Sequence, residues 1–483
     1  MSVRELEPKL VWELFDDITR VPRPSKKEGR IIAFLEEFAV ARNLEYRKDK
    51  TGNVVILKPA TAGYEDFPTV VLQSHMDMVC EKNSDVDFDF DNDPIRTCVD
   101  GEWVRADGTT LGADCGIGMA AALAVLVDES LEHGAIEALF TVDEETGLTG
   151  AFELGEGMLN GKYLINLDSE DEGEIFIGCA GGIDTVATFR YDEEEAPNNY
   201  AYFRADVSEL LGGHSGDDID KGRANSNKII ARLLWEAGRN FDMRLSYFCG
   251  GNLRNAIPRE AYAVFGVPLH LKGDFVRYFN MFADEVRSEY RRTEPNLKIT
   301  LDEIADVATV IDSRTQTALG ESLVGVPNGV ISMSSAVPGL VETSTNLASV
   351  KFAGDNEIVV TSSQRSSVES AKVYAMQSVE SVFSLAGAEV VHSEGYPGWT
   401  PDPNSRLLGI TVGSYRRLFG AEPKVRAIHA GLECGLFLEK YPDLEMVSFG
   451  PTLRGVHSPD ERIEISTVGK FWELLVDVLK HVG

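Results

Sequence analysis

The sequence predicts an α/β fold: a mixed, largely parallel sheet flanked by helices, interrupted by an inserted α+β domain. Three observations predict it. At 483 residues the chain exceeds what one hydrophobic core sustains, so two domains are expected. Strand-like and helix-like apolar patterns alternate near both ends of the chain, the texture of a layered α/β domain. Between them the texture changes to groups of strands with long helices, which reads as one or two α+β units. The expected division is residues 1–185 and 397–483 for the discontinuous α/β domain and 186–396 for the insertion.

The elements follow in order. Residues 5–20 and 26–42 have amphipathic helical spacing and are separated by the Pro22/Pro24 turn. Strands are expected at 53–57 and 69–74, then an acidic loop over 81–101. GIGMAAALAVLVDES (116–130) is a strongly apolar helix, and strands follow at 136–142 and 163–167. In the insertion, strands 186–192 and 201–209 precede a helix at 219–238. Strands 243–249 and 260–267, a helix 273–292 and a strand 297–303 complete the first group. A similar set follows: helix 308–323, strands 329–334, 341–352 and 357–364, helix 367–386 and strand 388–393. No clear repeat links the two sets. The α/β texture then returns with helices 404–418 and 431–440, strand 445–449 and helix 466–481.

Composition narrows the function classes. Lys+Arg total 46 against 78 Asp+Glu, a formal charge of −32, which argues against nucleic acid or an anionic membrane as partner. No apolar run approaches the roughly 20 residues that span a bilayer, and the charged start MSVRELEPKL lacks the apolar core of a signal peptide. The six scattered cysteines form no C-x-x-C, as expected for reduced thiols in the cytoplasm.

The chemistry gathers at strand ends. TVVLQSHMDM (69–78) reads as a buried strand ending on His75, with Asp77 two residues on. An i, i+2 pair in extended backbone points to one side, which suits a metal ligand with a carboxylate partner. Asp114 in LGADCGIG opens the 116–130 helix, Glu144 and Glu145 follow the strand ending TVD, Asp168 ends YLINLD, and His457 lies shortly after the 445–449 strand. Sites in α/β sheets collect outside the carboxyl ends of strands. Singly, each residue has a plainer reading: His75 structural, Asp114 a helix cap, Glu144–Glu145 a solvated turn, Asp168 surface. Jointly, two imidazoles and three carboxylates suit a pair of first-row divalent ions with one carboxylate bridging. Adjacent glutamates diverge, so one can bind metal while the other takes a proton from water.

Three look-alikes fail. Gly116-x-Gly118-x-x-Ala121 lacks a clear preceding strand, and Asp114 would face a pyrophosphate. DVDFDFDND (85–93) places Phe90 and Arg96 where a calcium loop needs Gly and Glu. Gly-Gly-His-Ser-Gly (212–216) is not the G-x-S-x-G elbow, which leaves His214 to be explained.

With LQSHMDMV, GADCGIGMA, TVDEETGLTGA, NLDSE, LLGGHSGDDIDKGRAN, AIHAGLECG and GVHSPDE together, the chain resembles the co-catalytic di-zinc aminopeptidase-like metallopeptidase superfamily. Within it, the resemblance is to the aminoacyl-histidine dipeptidases, also called cytosol non-specific or beta-alanyl-histidine dipeptidases, and it covers essentially the whole chain. It implies that His75 and Asp168 bind one metal, Glu145 and His457 the other, and that Asp114 bridges. Glu144 would be the general base and Asp77 would orient His75. The insertion would be a lid whose His214 stabilises an oxyanion, while Asn255 and Arg365 hold the C-terminal carboxylate of a dipeptide, plausibly of the Xaa-His type such as carnosine, and Gly431 offers backbone contact near the substrate. The implied cofactors are two divalent ions, zinc first, with manganese or cobalt also suited to mixed N/O ligands. The implied partner is a small peptide, and a homodimer is left open. An N-acyl-amino-acid amidohydrolase on the same centre and an inactive metal-binding scaffold are the alternatives.

Overall fold

The computed structural model describes residues 2–483. The chain divides into two units: residues up to Gly178 with Trp399–Ala427 and Leu432–Gly483, and Cys179–Gly398 with Ile428–Gly431. The stretch 428–431, expected with the α/β domain, thus belongs to the second unit.

The first unit is built on an eight-stranded sheet. From one edge it runs through β1 (Glu45–Lys48), β2 (Val54–Lys58), β4 (Ile136–Thr141), β3 (Val70–His75) and β5 (Tyr163–Asn166), then Glu445–Ser448, Glu174–Cys179 and Lys424–Ile428. β3 pairs in parallel with both β4 and β5, and β5 in parallel with Glu445–Ser448. β1, β2 and β4 pair antiparallel. All six residues of β3 are buried, as a central parallel strand requires. Its first three residues are apolar and its last three are Gln73, Ser74 and His75, so polarity concentrates at the carboxyl end.

Helix α1 (Lys9–Thr19) packs on α3 (Ala113–Val127), and α3 packs on β3 and β4. From Cys115 to Leu126 every residue of α3 is buried, the all-round apolarity of an interior helix. Gly112 makes the turn into α3 at φ +68°, and a Cβ there would lie 2.6 Å from Arg23 Nη2. Thr97–Asp100, at the end of the span expected as an acidic loop, forms a hairpin with Trp103–Ala106 just beyond it. The hairpin joins Leu453–Arg454 and Arg462–Glu464 in a separate four-stranded sheet.

The second unit carries one antiparallel sheet of nine strands. Its order is Lys298–Ile304, Tyr200–Ser208, Ala261–Pro268, Arg244–Gly250, Val341–Ala353, Glu357–Ser366, Gly181–Arg190 and Glu389–His392, with Gly329–Met333 also on the long 341–353 strand. The two expected α+β groups therefore share one sheet. They meet where Cys249 and Gly250 pair with Lys351 and Val350, a seam of two residue pairs. Helices Ser226–Asn240, Lys272–Tyr290, Ser313–Gly325 and Glu369–Leu385 close one continuous core that includes Ile230, Phe275, Leu323 and Phe383 with Phe203, Phe248 and Val360.

Two expected helices begin later than their periodicity implies. The 219–238 helix starts at Ser226, because Asn225 accepts from the amides of Asn227 and Lys228 and sets the cap there. The 308–323 helix starts at Ser313 under an Asp312 cap, because Thr309–Ile311 pairs instead with Glu193–Glu195. Among the described residues, no helix is long and apolar enough to cross a membrane.

Candidate metal centre

Seven sequence-predicted residues of the first unit converge at the carboxyl ends of β3, β4 and β5. His75 ends β3. Its Nε2 lies 3.1 Å from Asp114 Oδ1 and 3.4 Å from Asp168 Oδ1, and Asp168 follows β5 by two residues. His457 reaches the same place from the hairpin between Leu453–Arg454 and Arg462–Glu464. Its Nε2 lies 3.3 Å from Asp114 Oδ2 and 3.0 Å from Glu145 Oε2. The Asp114 carboxylate thus offers one oxygen to each imidazole. One side of it is completed by Asp168, the other by Glu145.

Asp77 lies behind this set and is fully buried. The other nitrogen of His75, Nδ1, faces the Asp77 carbonyl at 3.1 Å and its Oδ1 at 3.5 Å, which directs Nε2 forward. Asp77 also accepts from Ser25 Oγ at 2.7 Å and from the amides of Glu144 at 3.0 Å and Glu145 at 3.3 Å. Burial opposes its ionisation, but His75, Ser25 and the Glu144 amide outweigh it and bring the carboxyl down to about 2. The chain turns sharply at this point: Asp143 has φ +49°, and Thr146 and Thr149 hold its carboxylate. This turn sets Glu144 and Glu145 side by side on the shared Asp77 carboxylate.

The electrostatics are those of a site short of positive charge. Hydrogen bonds from Asp114 and Glu145 push His457 up to about 11. Asp168 rises to about 6, through burial first and then repulsion from Asp114, against the opposing pull of His75. Glu144 is held well above the usual carboxylate range by burial, with Asp168, Glu433 and Glu145 adding to it and His75 opposing. Glu145 Oε1 and Asp168 Oδ1 are buried and have no hydrogen-bond partner among the described residues. Two imidazoles and three carboxylates, two of which keep an orphaned oxygen, form a donor set that fits divalent cations. His75, Asp114 and Glu145 each offer a ligand atom within 4.8 Å of the others.

Three buried residues complete this site and carry no local sequence signal. Arg23, 1% exposed, donates to the carbonyls of Met76 at 3.1 Å, Asp77 at 2.6 Å and Gly112. Glu461 accepts from the amides of residues 111–114. Glu433 accepts from Gln73 Nε2 at 2.6 Å and Thr141 Oγ1 at 2.9 Å, and burial first of all pushes it up to about 8. Glu433 and Glu461 lie inside the motifs AIHAGLECG and GVHSPDE. That membership was the available signal, and it could not say what the residues touch.

In the second unit, Arg365 is buried and donates through Nη1 to Tyr396 Oη at 3.0 Å, while its Nε has no partner among the described residues. Burial, then the Arg365 charge, lowers the pKa of His214 and brings His429 down to about 3. Both imidazoles are therefore neutral near pH 7. Gly431 lies against the Tyr396 ring, where a Cβ would come within 2.8 Å. Asn255 is exposed, and its recorded contact is a backbone one, its carbonyl accepting from Ser215 N at 2.8 Å.

A family model described as peptidase family M20/M25/M40 matches residues 71–481. The cytosol non-specific dipeptidase of Escherichia coli (strain K12) is 43% identical over 481 residues, covering 100% of this chain and 99% of its own length. The crystal structure of an aminoacylhistidine dipeptidase from Vibrio alginolyticus superposes with a TM-score of 0.95 at 44% identity, over 99% of this chain and 98% of that one. A tripeptidase from Staphylococcus aureus, 16% identical, shares the fold with a TM-score of 0.57 over 99% of both chains.

Proposed function

The chain belongs to peptidase family M20/M25/M40, and from that premise we propose that it is a two-metal dipeptidase acting on dipeptides with a free C-terminal carboxylate. The observation that carries this reading is the Asp114 carboxylate, one oxygen 3.1 Å from His75 Nε2 and the other 3.3 Å from His457 Nε2. A single carboxylate shared by two imidazoles, each with its own second carboxylate, is the donor pattern of a bridged pair of ions. His75 and Asp168 would hold one ion, Glu145 and His457 the other, with zinc, manganese or cobalt all suited to the ligand set. Such ions lower the pKa of a bound water toward roughly 7 and polarise the scissile carbonyl.

The rest is done by side chains. Glu144 takes the proton of the attacking water and delivers it to the leaving amine. Asp77 keeps the His75 Nδ1 proton engaged and holds the Glu144 and Glu145 amides. His214, whose imidazole is neutral, would donate to the developing oxyanion. Arg365, with Asn255, would receive the C-terminal carboxylate, since a guanidinium matches that group bidentately, and Gly431 would offer backbone contact near the substrate. The names of the relatives support dipeptides, among them Xaa-His dipeptides such as carnosine, as substrates, and a cytoplasmic location.

The test joins metal analysis of the purified protein to a substrate panel. The expected result is about two divalent ions per chain and hydrolysis of free dipeptides, with little turnover of C-amidated or N-acylated analogues. Turnover surviving complete chelation would remove the metal reading. Preference for N-acyl amino acids would make the protein a deacylase on the same centre.

A further inference from the structure

The amides of residues 111–114 need acceptors. Asp114 is by sequence the natural cap of the helix that follows, but it lies outside helical geometry, at φ −82° and ψ 115°, ahead of the regular turns of α3, and it turns its carboxylate to the two imidazoles. The acceptor for the 111–114 amides comes from elsewhere in the chain. Glu461 Oε2 accepts from Leu111 N at 2.7 Å and Gly112 N at 3.0 Å. Its Oε1 accepts from Ala113 N at 2.8 Å and Asp114 N at 3.3 Å. Glu461 is 2% exposed, and both its oxygens are occupied by N–H donors. Gly112 is gripped from both sides, its N–H by Glu461 and its carbonyl by Arg23. Glu461 also lies in the hairpin that carries His457, four residues further on.

We infer that Glu461 is a positioning residue for the metal centre: it holds the four amides of residues 111–114 and so fixes the backbone from which the Asp114 carboxylate spans His75 and His457. The inference rests on the two-metal reading. Without the Glu461 carboxylate the four amides lose their shared acceptor, and the segment that carries Asp114 is no longer held against both imidazoles. One hairpin therefore delivers a ligand, His457, and the group that prepares the shared ligand.

The test compares zinc binding by metal-free Glu461→Gln, Glu137→Gln and the parent protein, using competition with a chromophoric chelator and the zinc-induced rise in Tm. Glu137 is an equally buried carboxylate that accepts from Asn160 N and Gly161 N at 2.8 and 3.0 Å, away from the site. Glu461→Gln is expected to bind zinc 10–100-fold more weakly and to show a smaller zinc-induced rise in Tm. Glu137→Gln should lower the Tm of the metal-free protein while leaving zinc affinity unchanged. In an Asp114→Asn background, Glu461→Gln should weaken zinc no further, since its effect runs through Asp114. Wild-type zinc affinity in Glu461→Gln would overturn the inference, as would an undiminished effect in the Asp114→Asn background. Glu461→Asp keeps the charge on a shorter arm and serves if Glu461→Gln does not fold; several-fold weaker zinc binding is expected, and wild-type affinity would equally overturn the inference. A parent protein that binds fewer than two zinc ions would instead remove the two-metal reading itself.

Discussion

Asp77→Asn replaces one carboxylate oxygen with an NH₂ group and tests how the site is held. The Asp77 carboxylate receives two backbone amides, one on each oxygen, together with Ser25 Oγ. Asparagine has one acceptor oxygen, so its NH₂ must face an amide N–H of either Glu144 or Glu145. A buried donor left without an acceptor costs about 1–3 kcal/mol. The charge is lost as well. Holding the carboxyl at about 2 rather than 3.8 stabilises its ionised form by about 2 kcal/mol. Together these predict that the metal-free variant is about 3–5 kcal/mol less stable at pH 7. The folded-state pKa is depressed, so the ionic part is fully present above about pH 4 and is lost as pH falls through about 2. The unpaired amide remains at every pH. Urea denaturation of the metal-free proteins should give the same difference at pH 7 and pH 5, and a smaller one as the pH is lowered from 4 toward 2. Equal stability at pH 7, or a gap that widens on acidification, would refute the reasoning.

Glu144→Gln should retain both ions by elemental analysis yet lose 10²–10⁴ in kcat, the usual contribution of a general base. Arg365→Ala should raise KM for free dipeptides about 10–100-fold, the worth of a charge-assisted carboxylate pair, and erase the preference over C-amidated analogues. Gly431→Ala should reproduce a weaker form of that defect in the same assay, because its Cβ must displace the Tyr396 ring to which Arg365 donates.

The parts of the centre that were legible in the chain are those whose signal is local. His75, Glu144, Glu145 and Asp168 each follow an apolar run that reads as a buried strand, so strand-end chemistry could be recognised without knowing what lay opposite. Asp114 read alone as a helix cap and became a bridging ligand only through the joint pattern and the resemblance, because its backbone is held by a residue 347 positions away. Arg23 was hidden for the same reason: it sits between two prolines in an apparent surface turn, and its carbonyl partners come from two other loops. In the second unit, local caps at Asn225 and Asp312 displaced helix starts that periodicity alone had extended. The single sheet was illegible because its two halves share no sequence repeat and meet through two residue pairs. For Asn255, spacing gives no access to side-chain contact, and the structure records a backbone one.

The order in which these residues occur along the chain has a consequence for biosynthesis. His75, Asp114, Glu145 and Asp168 leave the ribosome early, as an acidic cluster with one imidazole. His457 and Glu461 are made last, behind the entire second unit. At roughly 5–20 residues per second, the nascent chain carries this cluster for tens of seconds without Glu461 on the 111–114 amides and without the second imidazole beside Asp114. The hairpin that ends this interval delivers both at once, so the proposed ligand set is complete only as the helix Ile465–His481 is being translated.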